Sequence, residues 1–111
     1  MTEVTQSDLE AILDYKQQRS AQQDLRVTQH AQQEMAEEAI KLEDVLEAIE
    51  TATIVENYPD HRRGACCLLS GWTQMGRSLH VVCSTAHEPL IPITVYEPKA
   101  PKWVSPTKRR Y

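Results

Sequence analysis

Four histidines, four tyrosines, two tryptophans and a basic second half supply the chemistry of this chain that goes beyond packing. Arg77 follows Gly76 and enters an apolar run. There its guanidinium fork can meet phosphate with parallel N–H donors, or serve as an ordinary hairpin arginine. His80 alternates with Leu79 and Val81 and so shares a face with Val82. It is either an acid–base group near neutral pH or a satisfied histidine at the border of a sheet. His30 follows Thr28 near a helix start, where the dipole favours a neutral base, although a carboxylate one turn on, at Glu34, favours imidazolium. Its structural alternative is a ring nitrogen bonded to a neighbouring loop or sheet. Thr94 and Tyr96 project together, with Tyr96 able to stack on a base, donate through its hydroxyl, or pack with a wet tip. Trp72 and Trp103 offer the same choice between a stacking surface and a lid on the core. His61-Arg62-Arg63 and the tail Lys108-Arg109-Arg110-Tyr111 suit contacts to a polyanion, or are solvated chain. No metal-ligand spacing joins His61, His80, His87 and the cysteines. Three glycines form no phosphate-cradling loop, so neither metal nor cofactor is expected.

The elements that must position these groups divide into helices, then strands. Ser7-Asp8-Leu9-Glu10 reads as a capping box, with Leu9, Ile12 and Leu13 at helical spacing behind it. The segment 1–25 is thus a helical extension, either a docking arm or a piece packed on its own domain. Thr28 is the expected N-cap of a second helix running to about Ala39, with an Ala31, Met35, Ala39 stripe. Leu42 to Ile49 is a third, buried through Leu42, Val45, Leu46 and Ile49. From Thr53 the period changes. Thr53-Ile54-Val55 leads to a turn at Tyr58-Pro59-Asp60, Ala65 to Ser70 is a short apolar strand, and Gly71 to Arg77 connects to Ser78–Ser84 with Gly76 at the tip. Leu90 to Glu97 is a β-branched run in which Ile91, Ile93 and Val95 share one face. Pro92 places it at an edge or an irregular start. Pro98, Pro101 and Pro106 are expected to exclude regular structure after it. The order predicts an α+β fold, N-terminal helices on a small, mostly antiparallel sheet.

At 111 residues there is room for one core. Residues 1–60 hold 14 acidic against four basic side chains, net −10, and residues 61–111 hold eight basic against two acidic, net +6, giving the overall −4. This asymmetry fits a polyanion-binding surface, a homo-oligomer joined through acidic and basic halves, or two solvated faces. The absence of an apolar run of about 18 residues argues against a membrane span, and the acidic N-terminus is unlike a signal peptide. Adjacent Cys66 and Cys67 point to opposite faces of a strand, which suits buried free thiols in a reducing cytoplasm.

From Val27 onward a series of short blocks has a recognisable order. It runs Thr28-x-His30-Ala31, Met35, Ile40, Glu43-Asp44-Val45, Ala48-Ile49, Ile54-Val55-Glu56-x-Tyr58-Pro59 and Cys67-Leu68-Leu69. Gly76-Arg77-x-Leu79-His80-Val81-Val82, Ile93-Thr94-Val95-Tyr96-Glu97-Pro98 and Trp103 complete it. Over roughly residues 26–110 this resembles a family of small bacterial domains of unknown function, family 4258, itself similar to RelE-like and BrnT-like ribonuclease toxins. The resemblance implies a RelE-like α+β domain over 26–111 and a toxin-like component of a toxin–antitoxin pair. It also implies metal-independent endoribonuclease activity on RNA, in the cytoplasm, beside a zinc-finger type antitoxin partner. Arg77, His80, Tyr96 and His30 are its expected catalytic residues, with Arg62, Arg63, Lys108, Arg109 and Arg110 on the RNA backbone. The alternative is a catalytically degenerate binding module of the same fold. Members usually carry Arg where Glu34 stands and Arg-Gly where Glu38-Ala39 stands.

Overall fold

A computed structural model of the chain describes residues 10–11, 13–14, 16–18, 25–62, 64–85, 91–100 and 102–109. The described residues between 10 and 18 are helical. Two complete helices follow, α1 (Gln29–Glu37) and α2 (Leu42–Glu50). The strands are β1 (Thr53–Tyr58), β2 (Cys66–Trp72), β3 (Ser78–Ser84), β4 (Pro92–Tyr96), β5 (Trp103–Ser105) and β6 (Lys108–Arg109). The fold is α+β. Strands β1 to β4 form an antiparallel meander in sequence order, and among the described residues β5 and β6 pair as a separate two-stranded sheet.

Helix α1 starts at Thr28, whose hydroxyl accepts the Ala31 N–H at 3.2 Å. It stops at Glu37, two residues short of the expected end, because Ala39 takes a left-handed backbone with φ 53°. The Ile40 N–H then bonds back to Met35 O at 2.8 Å and the Ala39 N–H to Ala36 O at 3.4 Å, which closes the last turn. Helix α2 opens with Asp44 accepting the Lys41 N–H at 2.9 Å, and Glu43 and Asp44 in its first turn complement the dipole.

The meander presents two different faces. In register, Cys67 lies opposite Cys83, Leu69 opposite Val81, Gly71 opposite Leu79, and Val81 opposite Val95. These residues make the floor of the core, closed by Ala31 and Met35 of α1 and by Val45, Ala48 and Ile49 of α2. Leu13 and Leu25 pack at its margin, and Gln17 Nε2 donates to the Ile49 and Glu50 carbonyls at 3.1 Å each, capping the end of α2. Leu9 and Ile12 lie outside the described residues. At Gly71 helix and strand touch backbone to backbone, since a Cβ there would sit 1.9 Å from Ala48 O.

The second face carries Glu56, Tyr58, Cys66, Leu68, Ser70, His80, Val82, Thr94 and Tyr96. Against expectation, the proline-rich C-terminal segment is ordered into the β5–β6 hairpin. Pro106 occupies its turn, where no ladder N–H is required, and the buried Trp103 anchors it over His80. Pro92 opens β4, and β4 is an edge strand, as a residue lacking a ladder donor requires.

All three cysteines are free and buried. Burial pushes the Cys67 thiol from 9.0 up to about 11, with a partial pull downward from Lys16, and pushes Cys83 further up still. Below about pH 9 both folded and unfolded thiols are protonated and this stability is fully present. Between about 9 and 11 the unfolded chain loses a proton that the native Cys67 keeps, so stability falls as pH rises. We expect urea melts to lose on the order of 2–3 kcal/mol across that window from Cys67, and the loss to shrink in Cys67→Ala. An unchanged pH slope in that variant would contradict the assignment.

Candidate functional site

On the second face of the sheet, the C-terminal hairpin covers His80 while a groove of about 740 Å³ opens towards the β1–β2 turn. Cys66, Val82 and Ile93 give it apolar walls. Thr28, Thr94, Tyr58, His30 and His61 bring hydroxyls and imidazoles to it, and Gly64 completes the lining. A concave apolar site with a few polar groups is the usual form of a ligand pocket.

Each polar group is held by a distinct element. Thr28 is fixed threefold: its N–H donates to Pro92 O at 3.1 Å, its hydroxyl donates to Ile93 O at 3.1 Å, and that hydroxyl caps α1. His30 follows in the first turn of α1 with its side chain 65% exposed, and its Nε2 lies 3.3 Å from Glu34 Oε1. The same Glu34 oxygen accepts the backbone N–H of Val95 at 3.0 Å. A carboxylate anchored on the sheet therefore orients the imidazole from behind, which is the arrangement a histidine base requires. Tyr58, at the end of β1, donates its hydroxyl to the Glu56 carboxylate two residues earlier on the same face. His61 stands in the β1–β2 turn, where its N–H bonds to Tyr58 O at 3.4 Å and its carbonyl accepts from Gly64 at 2.9 Å. Arg62 beside it is exposed.

Arg77 has other work. Its Nε and Nη2 donate to Glu97 Oε2 at 3.1 and 3.0 Å, its Nη1 to Ala39 O at 2.9 Å, and its Nη2 also to Glu38 O. The fork thus satisfies carbonyls left open at the C-terminus of α1 and ties them to the end of β4. Four of a guanidinium's five N–H groups are engaged in this way. His80 is buried outright. Its Nε2 bonds the Pro106 carbonyl, which can only accept, so Nε2 carries the proton. In the neutral ring Nδ1 then accepts from the Tyr96 hydroxyl at 3.1 Å. Trp103 stands edge-on to His80, with ring centroids 4.3 Å apart and planes at 90°. His80 seats the C-terminal hairpin.

The four residues expected to form one catalytic cluster thus fall into two groups. His80 and Tyr96 are bonded under the hairpin, and Arg77 is joined to Glu97 next along β4. His30 lies at the far end of α1, in the groove. Arg62 and Lys108 are exposed, while Arg63, Arg110 and the side chain of Arg109 lie outside the described residues. Two groove residues, Tyr58 and His61, carried no catalytic assignment from sequence. The Tyr58-Pro59-Asp60-His61 turn was the available signal, because it returns the chain to the sheet's open face. Glu34 and Glu38, at helical i, i+4 spacing, turn to the backbone of β4 instead of solvent, Glu38 accepting the Glu97 N–H at 3.2 Å.

The fold and groove define a small α+β domain in which two imidazoles, from α1 and from the β1–β2 turn, line a groove beside an antiparallel sheet. A family model described as a domain of unknown function (DUF4258) matches residues 27–97, and the chain belongs to that family. No curated protein and no solved structure matches the chain. No helix among the described residues is long and apolar enough to cross a membrane.

The Arg77 clamp has a direct consequence for stability. Arg77→Ala should cost about 2–4 kcal/mol, because two helix-end carbonyls and the Glu97 carboxylate lose their donors together. Arg77→Lys should recover only part of it, since an ammonium lacks the fork. Urea midpoints measure both, and an Arg77→Ala protein as stable as the parent would leave the guanidinium free for another role.

Proposed function

We propose that this chain is a toxin-like component of a toxin–antitoxin pair that cleaves RNA without a metal ion, using the groove on the open face of its sheet. The observation that carries this reading is His30, held by a sheet-anchored Glu34, lining the same groove as His61. In the reaction, His30 takes the proton from a ribose 2′-hydroxyl and the freed oxygen attacks the adjacent phosphorus. The bond from phosphorus to the 5′-oxygen breaks, and that oxygen takes a proton from the His61 imidazolium. The products are a 2′,3′-cyclic phosphate and a 5′-hydroxyl, with the two imidazoles left in exchanged protonation states. Arg62 beside His61 offsets charge on the phosphorane. The resemblance to RelE-like and BrnT-like toxins read from the sequence blocks carries the expectation of the same class of chemistry. It also brings the expectation of a cytoplasmic setting and a zinc-finger type antitoxin partner.

A second reading has its own observation. Arg77 and His80, expected at the centre of catalysis, are consumed in holding the fold, as they would be in a degenerate module kept for binding RNA or protein.

Incubating the purified chain with a long mixed-sequence RNA in chelator separates the two. The ribonuclease reading predicts fragments ending in cyclic phosphate and a loss of about 10²-fold or more in His30→Ala and in His61→Ala. Arg77→Lys should change the rate only as far as it loosens the fold. Intact RNA after incubation with well-folded parent protein would leave the binding module.

A further inference from the structure

The groove does not end at Thr94. A second cleft of about 330 Å³ lies along the same edge strand, lined by Tyr96, Glu97, Lys99 and Lys102. Thr94 lines both spaces, and Glu34, which bonds His30 in the first, faces the second. From this continuity we infer that the two clefts form one track for a single polynucleotide strand, with Lys99 and Lys102 holding the phosphates next to the nucleotide seated in the groove. The inference rests on the proposed RNA-directed reading of the groove and adds a substrate class to it: an extended strand of several nucleotides, not a mononucleotide.

The charges argue for a polyanion although carboxylates share the cleft. Each carboxylate is turned inward to a partner. Glu34 accepts the Val95 N–H, Glu97 is gripped by the Arg77 fork, and Glu38 behind them accepts the Glu97 N–H. Their side chains are only 22%, 33% and 24% exposed, against 67% for Lys99, whose Nζ stands 3.8 Å from Glu38 Oε1. Lys102 is exposed as well. Lys99 thus reaches solvent from its ion pair with Glu38 and Lys102 is exposed in the same cleft, while Glu34 and Glu97 are held by a backbone amide, His30 and Arg77. The half-buried Tyr96 also lines this cleft, its hydroxyl bonded to His80 Nδ1 and its ring edge-on to the His80 ring. Hydroxyl and imidazole groups in the groove followed by ammonium groups in the cleft match the sugar and phosphate repeat of a single strand better than they match an acidic peptide, which has no sugar hydroxyls.

Fluorescence anisotropy of the full chain with a non-cleavable 2′-O-methyl 12-mer, run across a salt series, tests this beside cleavage of ordinary RNA. Lys99→Gln and Lys102→Gln should each weaken 12-mer binding about 3–10-fold and lower the salt slope by about 0.7. Unchanged 12-mer affinity in both lysine variants overturns the track, whether or not RNA is cut. Lysine-dependent binding without cleavage by the parent chain keeps the track and removes the ribonuclease reading. Failure of the parent chain to bind the 12-mer overturns the track, and equal displacement by polyglutamate of matched charge overturns its assignment to nucleic acid.

Discussion

An open edge is the constraint around which this domain is arranged. A four-stranded meander exposes two edges, and unpaired N–H and C=O groups there invite pairing with other chains. Strand β4 is sealed by side chains of one helix instead of by another strand. Thr28 meets the carbonyls of Pro92 and Ile93, Glu34 takes the Val95 N–H, and Glu38 takes the Glu97 N–H. Hydrogen bonds to a charged partner contribute about 1.5–3 kcal/mol each, so this seam is a substantial part of what holds α1 on the sheet. Arg77 closes its far end by joining the helix C-terminus to Glu97.

The same seam places the groups that could do chemistry. Because Thr28 is pinned to β4, the first turn of α1 projects over the end of the sheet and His30 reaches the groove. Because Glu34 is held by Val95, its oxygen is also in place for the imidazole. Further along, Glu97 is held by Arg77, Glu38 takes the Glu97 amide, and Lys99 pairs with Glu38 while its side chain stays 67% exposed. One set of hydrogen bonds thus blunts the edge, orients a histidine and sets the local field. The face beside it is divided by His80, whose bond to Pro106 seats the C-terminal hairpin and leaves the groove open beyond it.

Much of this was legible in the residues. Thr28 is a side-chain cap that any helix start needs, Gly76 falls with a positive φ in the expected β2–β3 connection although β2 runs on through Gly71 and Trp72, and alternation in Ser78–Ser84 set the faces of β3 correctly. Pro92 pointed to an edge strand for a backbone reason that does not depend on packing. What remained hidden was long-range. Nothing local distinguishes a helix carboxylate aimed at solvent from one aimed at an edge amide some 60 positions away, so Glu34 read only as a neighbour of His30, and Glu34 and Glu38 as departures from the family's basic residues. For the same reason Arg77 read as a hairpin arginine or a phosphate ligand, when its partners are the carbonyls of a helix end. The hairpin at 103–109 was missed because three prolines outweighed the burial of a single tryptophan, although Pro106 needed only to sit in the turn.

The central claim, that α1 side chains seal β4, is tested most directly by native-state hydrogen exchange at Val95 and Glu97. The account predicts protection of both amides close to that of the inner strands. In Glu34→Ala, Val95 should lose at least tenfold while Glu97 keeps most of its protection. Rapid exchange of both amides in the parent protein, as expected for a solvated strand edge, would contradict it.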